Sequence, residues 1–419
     1  MQRNITAEIL SIGDELLYGQ IQDTNSHWIS QQLDGIGVKV IRRTTVGDER
    51  KSILAAFAAS ASVADIILMT GGLGPTRDDL TKPLLAEYFQ SDLVLVPEAL
   101  EAIQGFFNKR GRELTSTNRQ QAYLPEKCTY VHNPVGTAPG MWFEKDGKVW
   151  MSMPGVPHEM RYLMENFVIP KIKDIFPLPI IYHKMIKTVG IGESWLSDMI
   201  SDWESSLPSH IKLAYLPSLG EVRLRLTATG NDQGTLANDV EKQVEKLLPL
   251  ISKYVYGYNQ DTLATVIGQL LNQRKKKLAL AESCSGGYIA HLITGVAGSS
   301  DYFNGAIVPY HNTFKENVLG VRQHTLINHG AVSEETVIEM ATKVREKFQA
   351  DFGLSSSGIA GPGGGTADKP VGLVWIACSS TDGCFTRKLQ LTEDRMVNIQ
   401  LTATAALNLL RQTILKETE

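Results

Sequence analysis

A chain of 419 residues exceeds what one hydrophobic core organises, so two or three domains are expected. Apolar residues make up 43% and charged residues 21%, which excludes a disordered chain; a net charge of −4 excludes the basic excess of a nucleic-acid binder. No apolar run is long enough to span a bilayer, residues 1–4 lead straight into strand-like sequence without a secretory signal, and Cys128, Cys284, Cys378 and Cys384 form no CxxC pair. A cytoplasmic protein with neither a disulfide framework nor a zinc ribbon is expected.

The first third alternates strand and helix patterns. Residues 7–11 read as a short strand ending in the turn Gly13-Asp14-Glu15. Trp28, Ile29 and Leu33 share one helix face, which Gly35 and Gly37 terminate. Residues 38–41 are a second strand, Ile53, Leu54, Phe57 and Ala61 mark a second helix, and residues 65–70 form a nearly all-apolar strand that suggests burial on both faces. This alternation implies a parallel sheet with helices on both sides. The middle differs. Residues 184–189, a helix from Ser194, the alternating strand 221–227 and a helix over 236–247 make a small α+β unit. The last third returns to α/β, with a helix near 263–271, strands at 277–281, 305–308, 352–355 and 372–377, and a closing amphipathic helix through Ile399, Leu401, Ala405, Leu407 and Leu410. The run Arg274-Lys275-Lys276-Lys277 reads as a solvated turn before a strand.

Ala281-Glu282-Ser283-Cys284-Ser285-Gly286-Gly287 lies between a buried strand and a helix. A hydroxyl at a strand end, followed by glycines that let a ligand approach the backbone, is placed for chemistry, and free N–H groups at the helix start can hold an anion or oxyanion. The same pattern also fits a capped helix start. Downstream, Tyr310 and Lys315 follow another strand; a lysine serves as base to a serine when burial or a nearby cation lowers its pKa. Ser357-Gly358-Ile359-Ala360-Gly361-Pro362-Gly363-Gly364-Gly365-Thr366 reads either as backbone shaped for close approach or as a surface loop. Towards the N-terminus, Thr70-Gly71-Gly72-Leu73-Gly74-Pro75-Thr76 follows the two-sided strand, with Asp78 and Asp79 next. Successive amides there form a phosphate nest, and adjacent aspartates suit a hard divalent cation. The alternative is a glycine-rich connection whose aspartates stabilise a helix start. Neither GxxxxGK nor GxGxxG is present.

The segments 281–287, 310–315 and 358–365, with Gly298-Ser299-Ser300 and Lys369-Pro370-Val371-Gly372, resemble the C-terminal domain of the CinA family, whose stand-alone form is nicotinamide mononucleotide (NMN) deamidase. Gly13-Asp14-Glu15-Leu16-Leu17-Tyr18-Gly19-Gln20, Asp23-Thr24-Asn25, Asn133 to Gly140 and Pro154-Gly155-Val156-Pro157-His158-Glu159-Met160 extend the resemblance to the N-terminal half, which is similar to the molybdopterin-binding fold. Gly190-Ile191-Gly192-Glu193-Ser194 and Leu213-Ala214-Tyr215-Leu216-Pro217 follow the family's KH-like module, here without a basic-flanked GXXG loop, so a spacer or dimer-contact role is favoured over RNA binding. The implied fold class is α/β, with a molybdopterin-binding-like domain over 1–169, a KH-like α+β module over 170–257 and an α/β amidohydrolase domain over 258–419.

The resemblance implies a bifunctional hydrolase of pyridine-nucleotide recycling. Ser283 would be the nucleophile, Lys315 its base and Tyr310 an assistant, converting NMN to nicotinic acid mononucleotide and ammonia through an acyl-enzyme without a cofactor. Glu282, Ser285, Gly286, Gly287, Ser357, Gly358, Gly361, Gly363 and Arg395 would contact that substrate. Ser285 and Ser357 stand where the family usually has threonine, and Glu393-Asp394-Arg395 replaces its Gly-Asp-Arg. The family pattern assigns the nucleophile to Ser283 rather than to the neighbouring Cys284. In the N-terminal half the implied activity is ADP-ribose pyrophosphatase with a divalent metal (Mg, Co or Mn) and potassium. Gly13, Asp14, Glu15, Asn25, Gly71, Gly72, Gly74, Thr76, Asp79, Gly136, Thr137, Pro154 and Gly155 would contact substrate, with Asp78 and Asp79 as metal ligands, unless the paired carboxylates instead orient ribose hydroxyls. A homodimer is implied, with no membrane or nucleic-acid partner. Two alternatives stand beside this reading: an active deamidase with a merely nucleotide- or pterin-binding first half, and a non-catalytic accessory protein in competence or DNA damage.

Overall fold

The computed structural model describes residues 5–76 and 78–416, so residues 1–4, read above as the lead into a strand, lie outside it. The chain forms two compact units, Met1–Tyr182 with Thr229–Leu236, and His183–Ala228 with Ala237–Glu419.

In the first unit, β1 (Thr6–Ile12) runs parallel to β2 (Lys39–Val46) on one side and β3 (Ile66–Thr70) on the other. A short antiparallel pair, β4 (Leu93–Leu95) and β5 (Tyr123–Pro125), stands apart. β6 (Thr129–Val131), β7 (Gly140–Lys145) and β8 (Lys148–Met153) complete the main sheet in the order β2-β1-β3-β8-β7-β6. The reading of β3 as buried on both faces holds. Ile66 and Leu68 join a core with Ile9, Ile29 and Leu33, while Ile67 and Met69 join one with Leu10, Phe57 and Trp150. The all-parallel expectation does not hold, because β7 is antiparallel to both β6 and β8. The cause is local: Asp146 (φ 53°) and Gly147 (φ 72°) form a two-residue left-handed turn, which pairs Lys145 with Lys148 in a tight hairpin.

In the second unit, β9 (Ile180–Val189), β10 (Ile211–Ser218), β11 (Glu221–Gly230) and β12 (Val255–Tyr258) form a sheet in the order β10-β11-β9-β12. Along β11, buried Val222, Leu224, Leu226 and Ala228 alternate with half-buried Arg223, Arg225 and Thr227, as the sequence pattern predicts. This module is no loose spacer. Val189 and Tyr256 sit in the same core as Leu263, Ile267, Leu407 and Leu410, and Arg411, 5% exposed, donates to the Val255 carbonyl (3.0 Å) and to Asn408 Oδ1.

The final domain carries β13 (Leu278–Glu282), β14 (Phe303–Ile307), β15 (Phe352–Gly358), β16 (Leu373–Ser380) and β17 (Gly383–Gln390), ordered β14-β13-β15-β16-β17. β13 is parallel to β14 and β15, whereas β16 and β17 are antiparallel additions; β17, half-exposed at the edge, was not anticipated. The three parallel strands end together, which brings the turn after Glu282, the segment after Ile307 and the end of β15 to one edge of the sheet. Among the described residues no helix is long and apolar enough to cross a membrane.

Candidate functional site

β13 ends at Glu282, and the chain then turns through Gly286 (φ 63°) and Gly287 (φ 95°), left-handed conformations suited to glycine, into the helix Tyr288–Thr294. Ser283 is fixed at the turn by its N–H, which donates to the Ser356 carbonyl at 2.9 Å. Lys315, only 1% exposed, reaches it from the segment after β14, with Nζ 3.0 Å from Ser283 Oγ. The same nitrogen lies 2.9 Å from the Pro309 carbonyl and 3.3 Å from the Tyr310 carbonyl. A neutral amine has two hydrogens and one lone pair. The carbonyls accept the two hydrogens, which leaves the lone pair for the serine proton. Burial pushes the Lys315 pKa down, against a smaller opposing effect of Cys284, and so favours the neutral form. The Cys284 thiol is pushed up to about 12, by burial first and then by the Glu282 charge, so it stays protonated at neutral pH and is a poor nucleophile.

Several residues assigned to the substrate support the site instead. Glu282 is fully buried, and its carboxylate accepts from the N–H groups of Gly287 (3.0 Å), Ile289 (3.0 Å) and Ala290 (2.7 Å). Ser285 is buried with its Oγ 2.6 Å from Ser356 Oγ, and buried Ser357 donates to the Ala331 carbonyl at 2.6 Å. Each of these side chains thus has a partner within the protein. Ser356 was missed; its only signal is the run of three serines inside an otherwise apolar strand. Tyr310 touches Lys315 through its backbone carbonyl, not its side chain. The ring is 57% exposed and its hydroxyl accepts from Arg395 Nη2 at 2.5 Å, so the phenol is not part of the Ser283–Lys315 pair. Arg395 also donates to the Gly361 carbonyl at 2.8 Å, which sets its guanidinium beside the glycine loop. Gly358 and Gly361 are small for packing: a Cβ would meet the Leu373 carbonyl at 2.8 Å at the first and the Glu393 carbonyl at 3.0 Å at the second, whereas Gly363 is open.

The first unit has a cavity of about 520 Å³ at the ends of β1, β3 and β8. Gly13, Glu15, Asn25, Gly71, Gly72, Gly74, Asp78, Asp79, Thr137, Pro154 and Gly155 of the expected set line it; Asp14, Thr76 and Gly136 are not on its wall. Asp14 braces Asp48: each backbone N–H donates to the other's carboxylate, at 3.0 and 3.1 Å. Asp48 does line the cavity, and sequence reading missed it; its place at the end of β2 is the signal. Burial, together with the charges of Asp14, Glu15 and Asp78, raises its pKa. Gly136 has a different reason to be glycine: a Cβ would collide with the Glu159 carboxylate, which Asn133 Nδ2 holds at 2.6 Å. Asp79 turns inward, accepting from Gly74 N–H (2.8 Å) and from Thr76 N–H (2.9 Å) and Oγ (2.5 Å). The Gly74 and Thr76 donors expected to hold phosphate are therefore occupied. Asn25 donates to Thr70 Oγ and the Gly155 carbonyl, tying two walls together, while its Oδ1, like buried Gln121 Oε1, has no hydrogen-bond partner. Gln121 was not anticipated.

The expected metal has hard oxygen donors here: Glu15, Asp48, Asp78 and Asp79 share the cavity wall. Among the described residues, no three His, Cys, Asp or Glu side chains are preassembled into a metal-holding group. Nor does any described lysine or arginine line the cavity. Such a site fits a cation held by one or two carboxylates and completed by the phosphates it accompanies.

Comparison with known proteins finds three matched segments. Residues 8–174 match the model of a probable molybdopterin binding domain, residues 183–257 that of the damage-inducible protein CinA KH domain, and residues 260–414 that of the CinA C-terminal domain. The chain is 48% identical to a CinA-like protein of Cytophaga hutchinsonii over 98% of its length and 99% of the relative's. It is 44% identical to a CinA-like protein of Flavobacterium psychrophilum, again over 98% and 99%. A crystal structure of the competence/damage inducible protein CihA from Agrobacterium tumefaciens is 37% identical, covering 36% of this chain and 92% of its own, with a TM-score of 0.35.

Proposed function

The chain belongs to the CinA family, and from that membership we propose that its last domain hydrolyses the carboxamide of NMN through an acyl-serine, while its first domain is a metal-dependent ADP-ribose pyrophosphatase. The observation that carries the first half is the buried Lys315 amine, its nitrogen 3.0 Å from Ser283 Oγ and 2.9 and 3.3 Å from two backbone carbonyls. Ser283 Oγ attacks the carboxamide carbon as its proton passes to Lys315 Nζ. The amides of Cys284 and Ser285, which make no backbone hydrogen bond among the described residues and follow Ser283 directly in the chain, would donate to the resulting oxyanion. Collapse breaks the C–N bond, and the Lys315 ammonium returns its proton to the leaving nitrogen, releasing ammonia. Water, deprotonated by Lys315, then cleaves the ester and frees the carboxylate product and Ser283. Arg395 supplies positive charge for the substrate phosphate.

The second half rests on the acidic cavity. A diphosphate placed against Glu15, Asp48, Asp78 and Asp79 is repelled unless a cation intervenes. These carboxylates would hold magnesium, manganese or cobalt, which would supply charge neutralisation and Lewis-acid polarisation. The protein's own part is to orient: Asp14 braces Asp48, Asp79 holds the glycine loop, and Asn25 sets the Gly155 wall. The test is ammonia release from NMN and metal-dependent AMP release from ADP-ribose by the purified full chain. Ser283→Ala is expected to abolish the first and spare the second. Ammonia release that survives in Ser283→Ala would refute the acyl-serine route.

A further inference from the structure

We propose that Asn25 and Gln121 are specificity residues of the cavity in the first unit, two neutral carboxamide oxygens that accept hydrogen bonds from the ribose hydroxyls of a phosphorylated riboside. The inference rests on the pyrophosphatase reading above and deepens it, by naming the part of the substrate that these two residues read.

Both side chains line the cavity, and both are nine-tenths or more buried, Gln121 at 3% exposure and Asn25 at 9%. Among the described residues, Asn25 Oδ1 and Gln121 Oε1 have no hydrogen-bond partner. A buried acceptor left unpaired costs stability, and folded proteins rarely keep one without a use. Glu15, Asp48, Asp78 and Asp79 share the same wall but carry charge, so they suit a cation. The two carboxamides carry none and suit a neutral donor.

The hydrogen bonds around Asn25 fix which way its amide faces. Nδ2 lies 2.8 Å from the Gly155 carbonyl, which only accepts, and 3.0 Å from Thr70 Oγ1. Thr70 gives its own proton to the Pro154 carbonyl at 2.9 Å, so it too accepts from Asn25. Both amide hydrogens are therefore committed, and Oδ1 faces a ligand as an acceptor alone. The edge of adenine pairs with a carboxamide through one acceptor and one donor side by side. Asn25 has no donor left for that pairing, whereas a hydroxyl needs only the acceptor. Gln121 reaches the cavity from a distant part of the chain, the turn Gln120–Ala122 before β5. That turn is anchored on both sides of the glutamine: Ala122 packs in the core with Phe57 and Trp150, and Lys82 Nζ donates to the Gln120 carbonyl at 2.7 Å. A volume of about 520 Å³ admits a nucleotide-sized ligand, with its phosphates towards the carboxylates and their cation and its sugar on the carboxamides.

The test is calorimetric titration of the full chain in magnesium with matched ligands. Adenosine monophosphate is compared with its 2′-deoxy and 3′-deoxy forms, and ribose 5-phosphate with 2-deoxyribose 5-phosphate. The parent chain is expected to bind the ribo form of at least one pair at least about tenfold more tightly than the deoxy form, because the missing hydroxyl leaves a buried acceptor unpaired. Gln121→Met keeps the length of the side chain and removes an oxygen that holds nothing among the described residues. It is expected to bring the preference at one hydroxyl down to about threefold or less, and Asn25→Ala to do so at one hydroxyl as well. The ratio of ribo to deoxy affinity cancels any general weakening of the cavity, such as Asn25→Ala produces by releasing Thr70 and Gly155. A buried water held by the two oxygens would instead give equal affinities for the ribo and deoxy forms. Equal affinities in the parent chain, no measurable binding of any ribo form, or a preference unchanged at every hydroxyl in either variant overturns the proposal. If the parent chain shows the preference but releases no AMP from ADP-ribose, the pyrophosphatase reading has failed and the recognition of ribose stands.

Discussion

Replacing Lys315 by methionine removes the amine that lies 3.0 Å from Ser283 Oγ while keeping a long side chain at the same buried position. General-base catalysis contributes about 10²–10⁴-fold, or about 3–5.5 kcal/mol of barrier. The effect on stability should be smaller. The Pro309 and Tyr310 carbonyls lose donors worth about 1 kcal/mol each, but the burial that depresses the amine's pKa is itself a cost that methionine does not bear. Ammonia release is therefore expected to fall by at least about 100-fold with stability changed by no more than about 2 kcal/mol. The pH dependence has a definite sign. Catalysis needs the neutral amine, so kcat/KM of the parent chain rises with pH through a Lys315 pKa below the ordinary 10.5. Stability moves the same way. Between the lowered folded pKa and the unfolded value the unfolded chain binds the extra proton, so the penalty of burying Lys315 is borne in full below that window and relieved as pH rises through it. The assay is steady-state ammonia release across pH, with thermal melts of both proteins. A methionine variant within about tenfold of the parent, or a parent profile without an acid limb, would refute the assignment of Lys315 as the base.

Cys284→Ala is expected to keep ammonia release within about threefold, and the parent thiol to resist iodoacetamide at neutral pH, because it is buried and pushed up to about 12; loss of activity on alkylation of Cys284 alone would count against the serine route. Asp48→Asn is expected to lower AMP release from ADP-ribose by about 100-fold and to raise the metal concentration for half-activation, measured by metal titration, with no change in ammonia release. Arg411→Met strips donors from Asn408 and the Val255 carbonyl and is expected to cost about 1–3 kcal/mol; calorimetry should show the middle module loosening from the last domain, and a melt identical to the parent's would refute their shared core.

The parts of the molecule visible in the sequence are those where chemistry and pattern coincide. β3 betrays its two-sided burial by an unbroken apolar run. Ser283 stands out because it follows a buried strand that ends in turn residues, and Lys315 because it follows the neighbouring strand of the same sheet. The internal partners of the polar residues near the nucleophile were not legible, for one reason. Composition shows that Glu282, Ser285 and Ser357 are polar and close to the nucleophile in sequence, but not that each rotates inward to a partner 5, 71 or 26 residues away. Asp48 escaped notice because it stands 34 residues from Asp14, and only the parallel pairing of β1 with β2 brings the two together. The β7–β8 hairpin was readable from Asp146-Gly147, a turn signal that the strand–helix alternation overrode. Arg411 looks like the exposed face of a terminal helix; its burial exists only once β12 packs there.

Both glycine turns use the same device, with different consequences for the two domains. Asp79 closes on the amides of Gly74 and Thr76, as Glu282 closes on those of Gly287, Ile289 and Ala290. In each case a loop that reads from sequence as an anion nest is already filled by a carboxylate of its own chain. At the Ser283 turn the buried Lys315 amine, its pKa lowered, lies 3.0 Å from the serine hydroxyl, which suits the proton transfer of the proposed reaction. In the first domain no described cation lines the cavity, and Glu15, Asp48 and Asp78 face it together with Asp79. If the proposed pyrophosphatase reading is right, the affinity of a phosphorylated ligand there is expected to scale with the divalent metal supplied. Tight ADP-ribose binding in the presence of a chelator would mean that the charge balance of that cavity has been misread.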